Sequence, residues 1–338
     1  MKQKYVLAFA IMSFLICGCN GCAAVEKEID NENAAKVITI VSWNTQEFFD
    51  SQKEGSEYSE YQSAKNWSEE KYLARLERLC SVISELNADI YVLEEIENEA
   101  IIQDMANQMI GDSWKASERL MYSCFTKIPK TATGVAILSR YPLENIKAHA
   151  LDIRTQESEQ PTMRPILEAT VNVGEKKFTI FGNHWKSKSG GEEKSEIWRD
   201  WQESLLAGFL IEGQKNSPEY AAMLCGDFNR DISEFIKTSE KKNSGNKIIL
   251  RNAGFGETQK IVVNNAWLTF GNKIGSYYFN ESWEKIDHIV SFGKAKITGF
   301  TPKTGEWADE SGKPKEYIIF SGEGYSDHLP IFATVVYN

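Results

Sequence analysis

Positive charge is scarce along this chain of 338 residues. Lysine and arginine number 38 against 48 aspartates and glutamates, which gives a formal net charge of -10 at pH 7. A chain with this balance does not coat nucleic acid through a broad basic surface. A polyanionic substrate would therefore need local help from a metal ion or from a few well-placed cations.

Cysteine and histidine are also scarce. The chain has six cysteines and four histidines, and no group of them shows the close spacing of a zinc site. Cys19 and Cys22 form a close pair that no second pair accompanies, so neither a zinc site nor a redox site is predicted there. Cys80, Cys124 and Cys225 lie in apolar segments and are predicted to be buried free thiols, although export would also permit a disulfide.

The apolar run near the N-terminus is too short to span a bilayer comfortably. "YVLAFAIMSFLIC" follows Lys2 and Lys4 and is typical of a signal-peptide core. It ends in "LICGC", which resembles a bacterial lipoprotein signal, so residues 1–18 are predicted to be removed and Cys19 to carry the lipid. Residues 19–36 would then link the anchor to a domain at 37–338, in an exported protein held at the bacterial cell envelope through its lipid. Lipid attachment at Cys22, plain secretion and a retained anchor are the alternatives.

The rest of the chain has the pattern of a globular α/β (α+β) domain. Hydrophobic residues make up 42% and aromatics 12%, enough for a substantial core, and no internal repeat is visible. Strands and helices alternate early and hairpin-like strands follow, which favours two packed mixed sheets flanked by helices. One helix is predicted to follow Ser68, which can cap it, and a second to span 192–211. Predicted strands span 37–43, 88–96, 134–142, 165–173, 176–185, 220–229, 276–280, 285–292, 317–320 and 330–338.

Polar residues interrupt several of these apolar runs. In "CGDFN", Asp227 and Asn229 lie two apart and share one face of an extended segment. A carboxylate beside an amide is suited to holding a water nucleophile against a phosphate. An Asx turn that leaves a strand is the structural alternative.

A second group of polar residues combines acids with imidazoles. "YSDHLPIF" places Asp327 and His328 directly before the last strand, and "EKIDHIV" supplies Asp287. His328 is suited to moving a proton near neutral pH if a carboxylate such as Asp287 fixes its tautomer. Asn44 ends the first strand and "LEEIEN" adds Glu95, so hard oxygen ligands suited to Mg²⁺ or Mn²⁺ are present. A solvated strand end is the alternative for the glutamate.

Cations and a glycine pair surround another histidine. "NHWKSKSGGEEK" holds His184, Lys186 and a Gly190–Gly191 turn into the second helix, whose N-terminal amides are suited to an anion. Arg164, directly before a strand, is suited to clamping phosphate. A flexible surface loop and an ordinary surface salt bridge are the alternatives.

The ordered series "SWN", "LEEIEN", "TGVAILSR", "RPILEATV", "NHWKSKSGG", "CGDFN", "KIDHIVS" and "SDHLP" resembles the metal-dependent exonuclease–endonuclease–phosphatase superfamily, from about residue 37 to 338. "NHWKSKSGG" and "GSYYFNESWEKIDHIV" look most like its bacterial secreted or lipoprotein branch, usually described as endonucleases. The resemblance implies a four-layer α-β-β-α sandwich and phosphoester hydrolysis with Mg²⁺, with Mn²⁺ as an alternative.

The resemblance also implies roles for individual residues. Asn44, Glu95 and Asp327 would lie at the metal, while Asp227 and Asn229 would orient or deprotonate the attacking water. Asp287 would orient His328 against the phosphate, and His184 would stabilise charge on phosphate oxygens or on the leaving group. Arg164, Lys186 and Arg199 would contact phosphate. Two departures affect these roles: Glu94 stands where the family usually has Gln, and the helix after Gly191 is acidic.

Three hypotheses follow about what the protein does. The first is a monomeric, Mg²⁺-dependent cell-envelope nuclease, with DNA favoured over RNA. The second is a phosphatase or phosphodiesterase acting on inositol phosphates, phospholipid head groups or other small esters. The third, an inactive lipoprotein that binds a partner, is disfavoured by the intact Asn, Glu, Asp and Asp–His series. Acidic charge disfavours long nucleic acid, whereas the resemblance to secreted endonucleases favours it.

Overall fold

The computed structural model describes residues 36–110, 119–129, 131–153, 159–238, 246–253 and 258–337. The helices are α1 (Ser59–Ser63), α2 (Glu69–Leu86), α3 (Glu99–Met109), α4 (Glu192–Asn216), α5 (Ile232–Thr238) and α6 (Ala266–Phe270). The strands are β1 (Lys36–Phe48), β2 (Ile90–Ile96), β3 (Tyr122–Thr126), β4 (Gly134–Ser139), β5 (Leu143–His149), β6 (Ile166–Val173), β7 (Lys176–His184), β8 (Ala221–Asp227), β9 (Lys247–Asn252), β10 (Gln259–Asn265), β11 (Tyr277–Phe279), β12 (Ser282–Glu284), β13 (Asp287–Gly293), β14 (Ala295–Pro302) and β15 (Ile331–Tyr337).

Two large mixed sheets pack face to face. One has six strands in the order β14-β15-β1-β2-β4-β3, and the other has seven in the order β5-β6-β7-β8-β13-β10-β9. Because side chains alternate along a strand, Ile38 and Ile40 of β1 enter the core between the sheets, while Val41 and Trp43 face α2 and α3. α4 covers the other sheet through residues such as Leu206. The predicted four-layer α-β-β-α sandwich is confirmed.

The sheet topology brings several strand ends to one edge of the sandwich. β1 runs parallel to β2, and β7 runs parallel to β8, so the carboxyl ends of each pair lie side by side. β13 is antiparallel to β8, and its first residue, Asp287, is in register with Asp227. His184 is in register with Asp227 on the other side. The chain therefore brings polar residues from five strands to this edge.

Some of the predicted secondary structure is present in the fold and some is not. Ser68 caps α2 by accepting from the backbone N–H of Lys71, as predicted. The strand predicted at 317–320 is wrong: this segment is a turn, in which the Ile318 N–H donates to the Glu323 carbonyl at 2.9 Å. Gly322 and Gly324 have φ values of 77° and 90°, which suit a turn and not a strand. Strands β3, β5, β9, β10, β12 and β14 were not predicted.

The three cysteines of the domain are buried and free, as predicted: Cys80, Cys124 and Cys225. No helix within the described ranges is long and apolar enough to cross a membrane. The predicted signal peptide and the lipid site at Cys19 lie outside the described residues.

Candidate active site

A cavity of about 1090 Å³ opens at the edge where these strand ends meet. It collects side chains from both sheets and from the loops that follow β7 and β11. Nine of the eleven residues to which a catalytic, metal or phosphate role was assigned line it: Asn44, Glu95, Arg164, His184, Lys186, Asp227, Asn229, Asp327 and His328.

A strained bulge at the end of β1 shapes one wall of the cavity. The pairing of β1 with β2 shifts register between Asn44 and Phe48, and Gln46 and Glu47 both have a φ of 52°. Non-glycine residues rarely adopt such a backbone, and it persists only where the surroundings enforce it. Glu95, across the bulge on β2, has a φ of 64°. The strained residues therefore concentrate at the site.

Arg75 of α2 stabilises the backbone of this bulge. Its fully buried guanidinium donates to the carbonyls of Thr45, Gln46 and Glu47, the first at 2.7 Å and the last at 3.0 Å. The ring of Tyr317 covers it, with the guanidinium carbon 3.7 Å from the ring centroid. The result is a fixed backbone that directs Glu47 into the cavity, a residue that the sequence analysis did not single out.

Asn44, Glu95 and Asp227 form a connected polar group at the cavity floor. The Asn44 amide donates to Asp227 Oδ2 at 3.2 Å and to Glu95 Oε1 at 3.4 Å. The other Glu95 oxygen accepts from the Glu47 backbone N–H at 2.7 Å. His184 Nε2 lies 3.7 Å from both Glu95 Oε1 and Asp227 Oδ2. These groups are close enough to act on one bound atom.

Asp287 and His328 form the predicted acid–imidazole pair. Asp287 Oδ2 lies 2.8 Å from His328 Nδ1, and both residues are buried. With Nδ1 engaged, Nε2 is the nitrogen left for proton transfer or phosphate contact. One ligand atom each from Asp227, Asp287 and His328 lies within 4.8 Å of the others. Asp287 itself does not line the cavity but lies behind His328.

Burial and crowding displace the pKa values of these groups. Burial and the nearby Asp287 raise the pKa of Asp227 to about 7. Burial raises the pKa of Asp327 to about 6, with Glu95 adding to the effect. Burial lowers the pKa of His328, but Asp287 and Asp327 outweigh it and hold that pKa well above its usual value. Burial, with Arg164 and His328, keeps the pKa of His184 well below the usual range.

The donor set fits a hard divalent cation. Carboxylates of Glu47, Glu95, Asp227 and Asp327 share one cavity, and such oxygen ligands suit Mg²⁺ or Mn²⁺. Burial, with Glu95 and Asp327 nearby, raises the pKa of Glu47 to about 8, so negative charge in the cavity is not fully balanced by protein donors. A bound cation would supply the missing positive charge.

The three predicted phosphate contacts have different surroundings. Arg164 donates to the Tyr58 hydroxyl at 2.9 Å and lines the cavity, as does Lys186. Arg199 is fully buried, does not line the cavity, and donates to Glu196 at 2.6 Å. It also donates to the Lys186 carbonyl at 3.0 Å. The placement therefore contradicts a phosphate contact by Arg199, which instead fixes the backbone that carries Lys186.

Two aromatic residues of the cavity wall were also missed. Tyr277 and Phe279 of β11 line the opening, and Tyr277 stacks on the His328 ring. The alternation in "SYYFN" places these two residues on one face of a strand, which is the signal that would have found them.

Comparison with known proteins agrees with this geometry. Residues 39–336 match the family model described as "Endonuclease/Exonuclease/phosphatase family". The chain belongs to this family. Members are metal-dependent phosphoester hydrolases, and the protein is an enzyme of that class.

Solved structures share the fold at low sequence identity. Truncated TDP2 from Caenorhabditis elegans is 15% identical, with 89% of this chain and 98% of that chain covered and a TM-score of 0.55. A family member from Bacteroides vulgatus is 15% identical, with 90% and 100% covered and a TM-score of 0.54. D. rerio TDP2, complexed with single strand DNA product, is 16% identical, with 88% and 98% covered and a TM-score of 0.54. No curated protein matches the chain.

Proposed function

We propose that the protein is a Mg²⁺-dependent nuclease that hydrolyses phosphodiester bonds of nucleic acid, DNA in preference to RNA. The observation that carries this proposal is the cavity in which Asp227, Asn229 and the Asp287–His328 pair meet the carboxylate-rich wall of β1 and β2. The single-stranded DNA product bound to the zebrafish neighbour supports a nucleic-acid substrate.

The protein's own residues supply the groups that hydrolysis needs. Asp227, with its pKa near 7, is suited to accept a proton from the attacking water. Asn229, whose backbone N–H donates to Asp227 Oδ1 at 2.8 Å, keeps that carboxylate oriented and positions the water. His328, held as an imidazolium by Asp287, contacts a phosphate oxygen.

The remaining groups orient the substrate and receive charge. Asn44, Glu95 and Asp327 would hold Mg²⁺, with Glu47 beside them, and the ion would supply charge neutralisation on the non-bridging oxygens. Arg164 and Lys186, which line the same cavity, hold the phosphate. His184 lies between Glu95 and Asp227 and stabilises the leaving oxygen.

Cleavage of supercoiled plasmid tests this proposal. The purified protein should nick the plasmid in the presence of Mg²⁺, and EDTA should abolish the nicking. The variants Asp227→Ala and His328→Ala should be inactive under the same conditions. His149→Gln is the matched control, because His149 lies on the edge strand β5 and bonds Glu168, outside the cavity lining. A folded protein that binds Mn²⁺ yet leaves the plasmid intact would contradict the nuclease proposal.

A small phosphoester is the second candidate substrate. The net charge of -10 favours it. So does the ion pair between the cavity-lining Lys188 and Glu234, at 2.6 Å, because it neutralises one of the few cations that could contact a long polyanion. A panel of inositol phosphates and phospholipid head groups, assayed by phosphate release, separates the two substrates.

The cellular location is part of the proposal. Export and lipid attachment at Cys19 would hold the enzyme at the cell envelope, a proposal that rests on the sequence "LICGC". Labelling with a radioactive fatty acid should mark the wild-type protein and not Cys19→Ser. Equal labelling of both would contradict lipidation at this residue.

A further inference from the structure

A short aromatic hairpin stands at the mouth of the cavity. β11 and β12 pair from Tyr277 opposite Glu284 to Phe279 opposite Ser282, with Asn280 and Glu281 between them. These two turn residues have φ values of 46° and 61°, the pattern of the tight two-residue turn that matches strand twist. The hairpin is therefore a defined element of the structure.

The two faces of the hairpin make different contacts. Tyr278 points away from the cavity, where Trp283 meets it edge-on at 5.2 Å and the Lys313 ammonium lies 4.0 Å from its ring centre. Tyr277 and Phe279 point toward the cavity and line it. Since Tyr278 and Trp283 hold the hairpin together, Phe279 is not required for that packing, and it is 50% exposed.

Three aromatic rings, those of His328, Tyr277 and Phe279, stack in series from the active site outward. The Tyr277 ring stacks on His328 at 4.6 Å with an interplanar angle of 28°, and Phe279 follows at 5.9 Å and 15°. A β-bridge between Tyr277 and His328 fixes the backbone on which the first step rests. An exposed aromatic face is thus held in a fixed orientation beside the histidine that contacts phosphate.

We propose that Phe279, supported by Tyr277, is a stacking subsite for a nucleobase next to the scissile phosphate. This inference rests on the proposed nuclease function and assigns the substrate an unpaired base at that position, since a base within a duplex has no free face. Stacking on aromatic side chains contributes affinity without positive charge and accepts every base. That property suits an acidic chain with few free cations in its cavity.

The test compares two oligonucleotides of equal length and charge. One is a 12-residue oligothymidylate, and in the other tetrahydrofuran replaces every nucleoside, so that only the bases are missing. Wild-type enzyme should show a KM about 10- to 100-fold lower for the base-bearing strand, the range expected for one or two stacked bases. Phe279→Ala and Phe279→Leu should lose this preference, while Phe279→Trp should keep it.

Phe320→Ala is the matched control. Phe320 is 68% exposed in the turn after residue 317 and does not line the cavity, so its removal should leave the KM ratio unchanged. Equal KM values for both strands in the wild type, or an unchanged ratio in Phe279→Ala, would overturn the stacking subsite while leaving the nuclease proposal intact. A wild type that nicks plasmid but cleaves neither strand would also overturn the base subsite alone, whereas one that cleaves neither the strands nor plasmid would overturn the nuclease proposal and, with it, the base subsite.

Discussion

Asp227 should make the metal-free protein less stable as the pH rises from about 4 to 7. Burial and the neighbouring Asp287 raise its pKa from 3.8 to about 7. Within that window the folded protein keeps a proton that the unfolded chain has released. The contribution of Asp227 to the free energy of unfolding is therefore greatest below pH 4 and is lost as the pH rises toward 7. A displacement of this size corresponds to about 4 kcal/mol.

Asp227→Asn isolates this effect. The amide has nearly the same shape and never ionises, while His184 and His328 titrate in both proteins. With EDTA present, the melting temperature of the wild type relative to the variant should fall by about 5–15 °C between pH 4.5 and 7.5, given roughly 2–4 °C per kcal/mol for a domain of this size class. Differential scanning fluorimetry across this pH range measures it.

A bound cation should reverse the loss. Mg²⁺ should raise the wild-type melting temperature at pH 7.5, where the carboxylates are ionised, and should do little at pH 4.5. Parallel melting curves for the wild type and Asp227→Asn across the whole pH range would refute the reasoning, because Asp227 would then ionise as easily in the folded protein as in the unfolded chain.

Three further predictions concern the supports of the site. Asp287→Asn should lower kcat about 100-fold or more with a normal circular dichroism spectrum, because His328 Nδ1 loses its charged partner; a kcat within twofold of wild type would contradict this. Arg75→Met should lower the free energy of unfolding by about 3 kcal/mol or more in urea titration, because three carbonyls of the bulge lose a donor; an unchanged midpoint would count against it. Lys186→Gln should raise KM about tenfold or more through a lost phosphate contact, whereas Lys188→Gln, already paired with Glu234, should raise it less; the reverse order would exchange their roles.

Strand ends could be predicted from the sequence because each is a local event. A β-branched apolar run that stops at Asn44, or "MLCGD" stopping at Asp227, marks both a buried strand and a polar terminus. Parallel pairing then brings such termini together without further information. Two packed sheets flanked by helices could be expected from this pattern, whereas the four-layer order and the roles of the site residues were implied by the family resemblance.

The bulge at Gln46 and Glu47 could not be predicted in this way. Its positive φ values contradict the preferences of both residues, and they are stabilised by Arg75, which lies on a helix 28 positions further along the chain from Glu47. Arg199 is the opposite case, a contact that was predicted but that the fold does not make. The family resemblance implied a phosphate contact for this arginine, yet Glu196, one helical turn earlier, pairs with it inside the fold.

The acidic character of the cavity and the polyanionic substrate are compatible if substrate binding depends on the cation. Glu95 and Asp327 add to the burial that raises the pKa of Glu47, and Glu95 does the same for Asp327. These carboxylates therefore repel one another and would repel a phosphate in the same way. A divalent ion placed among them removes both repulsions at once. Affinity for substrate should therefore rise with cation occupancy and not with general surface charge. On this reasoning, neutralising surface glutamates far from the cavity should change KM little, whereas Glu47→Gln should weaken Mn²⁺ binding measured by calorimetry without substrate.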